Sequence, residues 1–158
     1  MAAFEAPLAW IVLLVLLGAI VVIDVRTHRI PNALTLALLV SGGVVAMVPG
    51  GPGFADALAG ALLGGLSSLA VALGFRWWRG VDGLGMGDVK FLAGAGSWTG
   101  WQGVGPVVFV AATAALLAVG VLTVTGRAPG RREPFAFGPF LCFALIVVRG
   151  CQTLVTNM

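Results

Sequence analysis

Long apolar runs separated by short breaker segments dominate the pattern of this sequence. The first run covers positions 6–23 and contains 18 residues without a charge. At 1.5 Å per helical residue it extends about 27 Å, close to the hydrocarbon thickness of a bilayer. The basic cluster Arg26, His28 and Arg29 follows this run instead of preceding it. We therefore interpret the run as a retained membrane helix and not as a cleaved signal peptide.

Five further apolar segments follow, and the stretches between them are rich in Gly and Pro, which end helices. The pattern predicts an all-α integral membrane protein in which residues 1–158 form a single domain, a bundle of six transmembrane helices. The fourth helix is expected to be short and to need support from the glycine segment before it. Gly60 and Gly64 form a GxxxG step that predicts close helix packing. The six segments are 6–23, 33–48, 57–75, 89–101, 104–124 and 135–148.

Composition supports a membrane location and excludes several function classes. Only 9% of residues are charged and 59% are hydrophobic, whereas a soluble domain has about 25% charged residues. The pI of 9.7 rests on a net charge of only +3, so a nucleic-acid partner is not expected. Cys142 and Cys151 lack metal-type spacing and His28 is the single histidine. We therefore expect neither a metal site nor another cofactor.

The basic residues predict the orientation in the cell membrane. Eight of the nine fall in the first, third and fifth loops, which six alternating spans place on one side. The positive-inside rule assigns that side to the cytoplasm and leaves both termini outside. Trp10, Trp98 and Trp101 would then mark the outer interface. The eight residues are Arg26, Arg29, Arg76, Arg79, Lys90, Arg127, Arg131 and Arg132.

Two of the six acids stand apart from the others. Asp24 ends an apolar span, at a depth where an acid is costly and often functional; its alternative role is an ion pair with Arg26. Asp88 opens a helix after a glycine segment, and its alternative role is a helix cap. Two spans separate Asp24 from Asp88, so both acids are expected at the same membrane face. Ordinary loop or cap positions account for Glu5, Asp56, Asp82 and Glu133.

Two carboxyls at the rim of a helical bundle have a defined chemical use. One ionised acid activates a water molecule, while its protonated partner polarises a substrate carbonyl. A site of low dielectric disfavours ionisation of both acids, so Asp24 and Asp88 are expected to share one proton.

At these residues the sequence resembles the type IV prepilin peptidases, membrane aspartic proteases of the GxGD class. Asp24 stands six positions before Ile30-Pro31-Asn32, as the family's first acid stands before a similar turn. The second acid lies in Gly85-Met86-Gly87-Asp88-Val89-Lys90, which matches the family's GxGDxK motif. The segments 96–101 and 137–140 are also similar to family elements, the latter imperfectly, and we expect a structural role for it.

The resemblance implies cleavage of basic leader peptides from prepilins or pilin-like secretion subunits at the cytoplasmic face. Asp24 and Asp88 would be the catalytic acids, without an assignment of which is the base. Gly85 and Gly87 would let the backbone aim Asp88 at Asp24. Lys90 could orient Asp88, but we favour an anchoring role or contact with membrane lipid.

Larger family members carry an N-terminal region with two CxxC pairs and also methylate the new pilin N-terminus. That region is not found in this sequence, so methyltransferase activity is not expected. The competing hypothesis is a non-enzymatic small transporter or assembly scaffold, whose acids bind cations or cap helices. Since cleavage needs an extended peptide, residues 82–87 are predicted to form a mobile gate.

Overall fold

The computed structural model describes residues 2–81, 83–126 and 136–156. Within these ranges the regular structure is entirely helical. Four of the helices are long and apolar enough to cross a membrane, and α2 is a shorter apolar helix. The helices are α1 (Ala2–Thr27), α2 (Asn32–Val45), α3 (Phe54–Arg79), α4 (Met86–Val124) and α5 (Gly138–Thr156).

The predicted count of six helices is wrong, because the fourth and fifth predicted segments belong to one element. In the described part of the chain there are five helices, and α4 alone has 39 residues. The glycine-rich stretch 100–103 does not form a loop. Instead α4 kinks at Gly100, whose φ of 69° and ψ of 176° lie in a region that only glycine enters readily. Gly100 thus interrupts the helical backbone, and the two helical halves of α4 meet at this kink without a loop between them.

The kink allows both halves of α4 to contribute to one core. A straight helix of this length would extend about 58 Å, nearly twice the hydrocarbon thickness. Phe91 and Leu92 before the kink, and Val107 and Ala111 after it, belong to the same buried cluster. The other main members of this cluster are Leu13, Leu17 and Ile20 of α1, Leu38 of α2, and Leu141 and Leu145 of α5.

Trp98 does not lie at the outer interface as predicted. Its side chain is only 1% exposed, and its indole N–H donates a hydrogen bond of 2.9 Å to the carbonyl oxygen of Leu38. A buried indole needs such a partner for its polar N–H group. Trp98 therefore ties α4 to α2 inside the bundle, while Trp101 is half exposed.

The predicted close packing at Gly60 and Gly64 is confirmed. The backbone of α4 lies directly against both glycines, with the carbonyl of Gly96 at Gly60 and the carbonyl of Leu92 at Gly64. A methyl group at either position would occupy the place of these carbonyls. The contact of α3 with α4 therefore depends on the missing side chains.

Gly60→Ala is expected to destabilise the protein, whereas Gly74→Ala on the same helix is not. The new methyl group at 60 meets α4 backbone, which cannot move aside as a side chain could, while Gly74 has nothing within 4 Å. Overpacking of this kind costs about 1–3 kcal/mol, and alanine at an open helical site is neutral or slightly stabilising. Thermal unfolding of both variants in detergent measures the difference. Equal melting temperatures would contradict this account of the packing.

Candidate active site

Asp24 and Asp88 lie together at one end of the bundle, where they line a cavity of about 980 Å³. Asp24 is in the last turns of α1, and Asp88 is in the first turn of α4. The cavity is therefore bordered by both acids, one from each of these two helices. The expectation that both acids share one face, drawn from the number of intervening spans, thus agrees with their positions in the fold.

The Asp24 carboxyl is held by the start of α5. It is only 5% exposed, and its Oδ2 accepts a hydrogen bond of 3.0 Å from the backbone N–H of Gly138, the first residue of that helix. A Cβ at position 138 would collide with the same carboxyl. The N-terminus of a helix carries a partial positive charge and free N–H groups. Gly138 therefore supplies both the room and a donor for a buried carboxylate.

Only part of the role of Gly138 could be predicted from the sequence. It lies in Phe137-Gly138-Pro139-Phe140, for which a structural role was expected. Glycine followed by proline at the start of a helix indicates a special backbone position, but which side chain meets it is a matter of tertiary packing. Phe137 also lines the cavity.

Asp88 occupies a similar electrostatic position at the start of α4. Gly85 is the N-cap residue of this helix, and the backbone N–H of Asp88 donates to its carbonyl at 3.0 Å. The Asp88 carboxyl lies close to Gly85, where a Cβ would come within 3.2 Å of its Oδ2, and it lines the cavity. The structure shows no side-chain hydrogen bond that caps this helix start, so the alternative role of Asp88 as a cap stays a prediction.

Gly87 lets the loop after α1 pack on the start of α4. A Cβ at Gly87 would lie 3.1 Å from the Cβ of Ile30, a side chain that is only 9% exposed. Pro31 then provides the N-cap of α2 in an extended conformation. The motif glycines and the Ile30-Pro31 turn therefore act together to place the two acid-bearing segments side by side.

Lys90 has a partner within the protein. Its Nζ donates a hydrogen bond of 2.7 Å to Oδ1 of Asn32, the first residue of α2. The role favoured from sequence, an anchor or a lipid contact, did not include this bond. It ties the start of α4, just after Asp88, to the segment that follows Asp24. The two motifs are joined by these side chains as well as by backbone packing.

His28 and Arg29 also line the cavity, although neither was predicted to belong to a functional site. His28 has a positive φ of 51°, and its N–H donates to the carbonyl of Asp24 at 2.8 Å. This left-handed residue turns the chain away at the end of α1. Its position four residues after Asp24, one helical turn, was the available signal.

Some residues with predicted roles lie outside the described part of the chain. These are Asp82, and, within the segment 127–135, Glu133 and the three basic residues Arg127, Arg131 and Arg132. Residues 82–87 are predicted to form a mobile gate; of these, Met86 and Gly87 already belong to α4, and the gating role stays a prediction. Among the residues that the structure describes, no three His, Cys, Asp or Glu side chains lie close enough together to hold a metal ion.

Comparison with known proteins adds an independent observation. Residues 11–123 match the model of the type IV leader peptidase family. A prepilin leader peptidase/N-methyltransferase of Burkholderia pseudomallei is 40% identical over 137 residues, which are 86% of this chain and 44% of the relative. The leader peptidase HopD of Escherichia coli is 36% identical over 145 residues, covering 91% of this chain and 94% of HopD.

A third relative, the prepilin leader peptidase/N-methyltransferase of Pectobacterium carotovorum, is 37% identical over 134 residues, covering 83% of this chain and 47% of the relative. The chain therefore spans about half the length of two of these three relatives and nearly all of HopD. No solved structure gives a significant match.

The bond between Lys90 and Asn32 is expected to show as energetic coupling. We predict that Lys90→Met and Asn32→Ala each lower the melting temperature, and that the double variant is destabilised by less than the sum of the two. For an exposed charge-assisted pair the coupling should be about 0.5–1 kcal/mol. A double-mutant cycle by thermal unfolding measures it. Strictly additive effects would show that the Lys90 and Asn32 side chains do not stabilise each other.

Proposed function

The chain belongs to the type IV leader peptidase family, and from this premise we propose that it is an aspartic endopeptidase. Its substrates are type IV prepilins or pilin-like secretion subunits, from which it removes the basic leader peptide. The observation that carries the proposal is the meeting of Asp24 and Asp88 in one cavity. The chemistry of aspartic peptidases needs a pair of carboxyls of this kind.

The surroundings of the two acids favour a pair that holds one proton. Asp24 belongs to α1, but its carboxyl group lies at the N-terminus of α5. Asp88 is in the first turn of α4. Both positive helix ends therefore stabilise negative charge at the cavity. Two full charges so close together would repel, and Asp24 is nearly inaccessible to water. One negative charge between two helix ends is the favoured state of this arrangement.

Peptide hydrolysis follows from that state. The ionised carboxyl accepts a proton from a water molecule, whose oxygen attacks the carbonyl carbon of the scissile bond. The protonated carboxyl donates to the carbonyl oxygen as its negative charge develops. Collapse of the tetrahedral intermediate breaks the C–N bond, and the amine leaves with a proton from the pair. Asp24 and Asp88 are the catalytic residues of this mechanism, and Gly138, Gly85 and Gly87 position them.

The cavity end of the bundle is proposed to face the cytoplasm. Arg26, Arg29, Arg76 and Arg79 all lie near helix ends on this side of the chain path, as the positive-inside rule requires for a cytoplasmic face. At the opposite end the side chain of Trp10 approaches Gly150, so α1 begins where α5 ends. Both termini are therefore proposed to lie on the outer side of the membrane.

The proposal covers leader cleavage and not methyl transfer. The relative whose length this chain nearly matches is named a leader peptidase alone, whereas relatives about twice as long are named for both activities. A transporter or scaffold is not favoured by any contact at this site. The apposed acids are instead the arrangement that acid–base catalysis uses.

Loss of either acid should abolish cleavage. Asp24→Asn and Asp88→Asn keep the size of the side chain but remove the shared proton, so leader removal should fall by about 10³-fold or more. Co-expression with a prepilin, followed by intact mass measurement of the substrate, reports cleavage as a mass shift. Glu5→Gln, near the other end of α1, is the matched control and should cleave normally. Appreciable cleavage by either Asn variant would contradict the proposed pair.

Gly138→Ala should impair cleavage although it removes no polar side chain. The added methyl group displaces the Asp24 carboxyl and breaks its bond to the N–H group, so we expect at least a tenfold loss of rate. Gly150→Ala on the same helix is the control, because its nearest neighbour would be a Trp10 ring atom at 3.9 Å. Equal cleavage rates for the two variants, measured with the same prepilin, would show that Gly138 does not position Asp24.

A further inference from the structure

A second cavity, of about 380 Å³, lies at the end of the bundle opposite Asp24 and Asp88. From Gly138, which binds Asp24, it is about 16 Å along α5 to Arg149 in the wall of this cavity, at 1.5 Å per residue. The α2–α3 loop, the kink of α4 and the last turns of α5 line it, and it is open on one side. Its polar lining is formed by Asp56, Thr99, Gln102, Arg149, Gln152 and Thr156.

Arg149 is the unusual member of this lining. The residue is only 9% exposed, and its side chain has no hydrogen bond or ion pair with any of residues 2–81, 83–126 and 136–156. Asp56 lines the same cavity but does not pair with it. A cation in a largely buried residue is costly when the protein supplies no acceptor, and an anion bound in the cavity would offset that cost.

Gln152 presents an unused acceptor in the same cavity. Its Nε2 donates a hydrogen bond of 2.9 Å to the carbonyl oxygen of Thr99, next to the kink of α4. This bond fixes the orientation of the amide, and Oε1 is left buried without a donor. Buried acceptors are normally satisfied. A complementary ligand would thus carry an anionic group for Arg149 and a neighbouring hydrogen-bond donor for Gln152.

We propose that this cavity binds a phosphate ester that carries an adjacent hydroxyl or ammonium group. The guanidinium of Arg149 binds two phosphate oxygens through parallel N–H donors, the geometry for which arginine is suited. The hydroxyl or ammonium group donates to Oε1 of Gln152. The volume is that of a small-molecule site and accommodates a headgroup, not a folded peptide.

The residues at the rim of the cavity favour one of two possible ligands, a phospholipid headgroup or a soluble phosphate ester. Trp101 is 50% exposed and Val155 is 74% exposed, and both line the cavity. An aromatic ring and an apolar side chain at a membrane end contact acyl chains and the headgroup region. A phospholipid headgroup therefore fits the rim, while a soluble phosphate ester would use the polar floor alone.

The test uses the full-length protein purified in detergent, with its melting temperature as the readout. Phosphatidylglycerol and phosphatidylethanolamine supply the lipid source, and diacylglycerol has the same chains without phosphate. Glycerol 3-phosphate and inorganic phosphate supply the soluble source. A ligand that binds only the folded state raises the melting temperature. Stabilisation by the phospholipids and not by diacylglycerol supports the proposal with a lipid source, and stabilisation by the soluble phosphates supports it with a soluble one.

Arg149→Met should weaken the stabilising ligand by about tenfold or more, because it removes a charge-assisted bidentate contact. Arg26→Met removes one exposed cation at the other end of the bundle and should leave the affinity unchanged. Equal stabilisation by diacylglycerol and phospholipids, with none from soluble phosphate, would overturn the proposal on the unaltered protein, even if Arg149→Met fails to fold. Unchanged ligand affinity in a folded Arg149→Met would overturn it as well.

Discussion

The burial of negative charge between two helix N-termini is the constraint on which the rest of this structure depends. The Asp24 carboxyl accepts a hydrogen bond from the N–H of Gly138 at the start of α5. Asp88 is in the first turn of α4, and its carboxyl lies close to the N-cap residue Gly85. Helix ends supply positive potential without a cation or metal. They offset the cost of one charge in a site of low dielectric, and leave the second carboxyl to hold a proton. The fold can therefore be understood as a means of directing two helices at one point.

Glycine packing makes this convergence possible. At Gly60 and Gly64 the backbone of α3 meets that of α4, and Gly87 accommodates Ile30 beneath the cavity. The first half of α4, which carries Asp88, is therefore packed against α3 at Gly60 and Gly64 and against the loop after α1 at Gly87. The kink at Gly100 then turns the second half of α4 back into the same core. It also creates the walls of the second cavity, so one backbone feature shapes the end of the bundle opposite the acids.

The sequence was sufficient to identify the two acids, the membrane character and the family resemblance, because each has a local signal. The apolar runs predict the helices, and the number of spans between the two acids predicts that they share one membrane face. The Gly85–Lys90 motif indicates the second acid. Other features depend on contacts between distant segments. The direct junction of the two halves of α4 at Gly100 depends on packing between distant segments. The same is true of the burial of Trp98 against Leu38 and of the hydrogen bonds from Gly138 to Asp24 and from Lys90 to Asn32. Gly138 was visible as a motif residue, but its partner was not.

The central claim, that Asp24 and Asp88 face each other across one cavity, is tested most directly by cross-linking in the membrane. The variant combines Asp24→Cys and Asp88→Cys with Cys142→Ala, since Cys142 is buried one helical turn after Gly138, which binds Asp24, and Cys151 is exposed. A short bis-thiol reagent should join positions 24 and 88 within one chain, and should not join position 24 to Cys151. If both introduced thiols react with a monofunctional reagent yet never cross-link to each other, the proposed meeting of the two acids is contradicted.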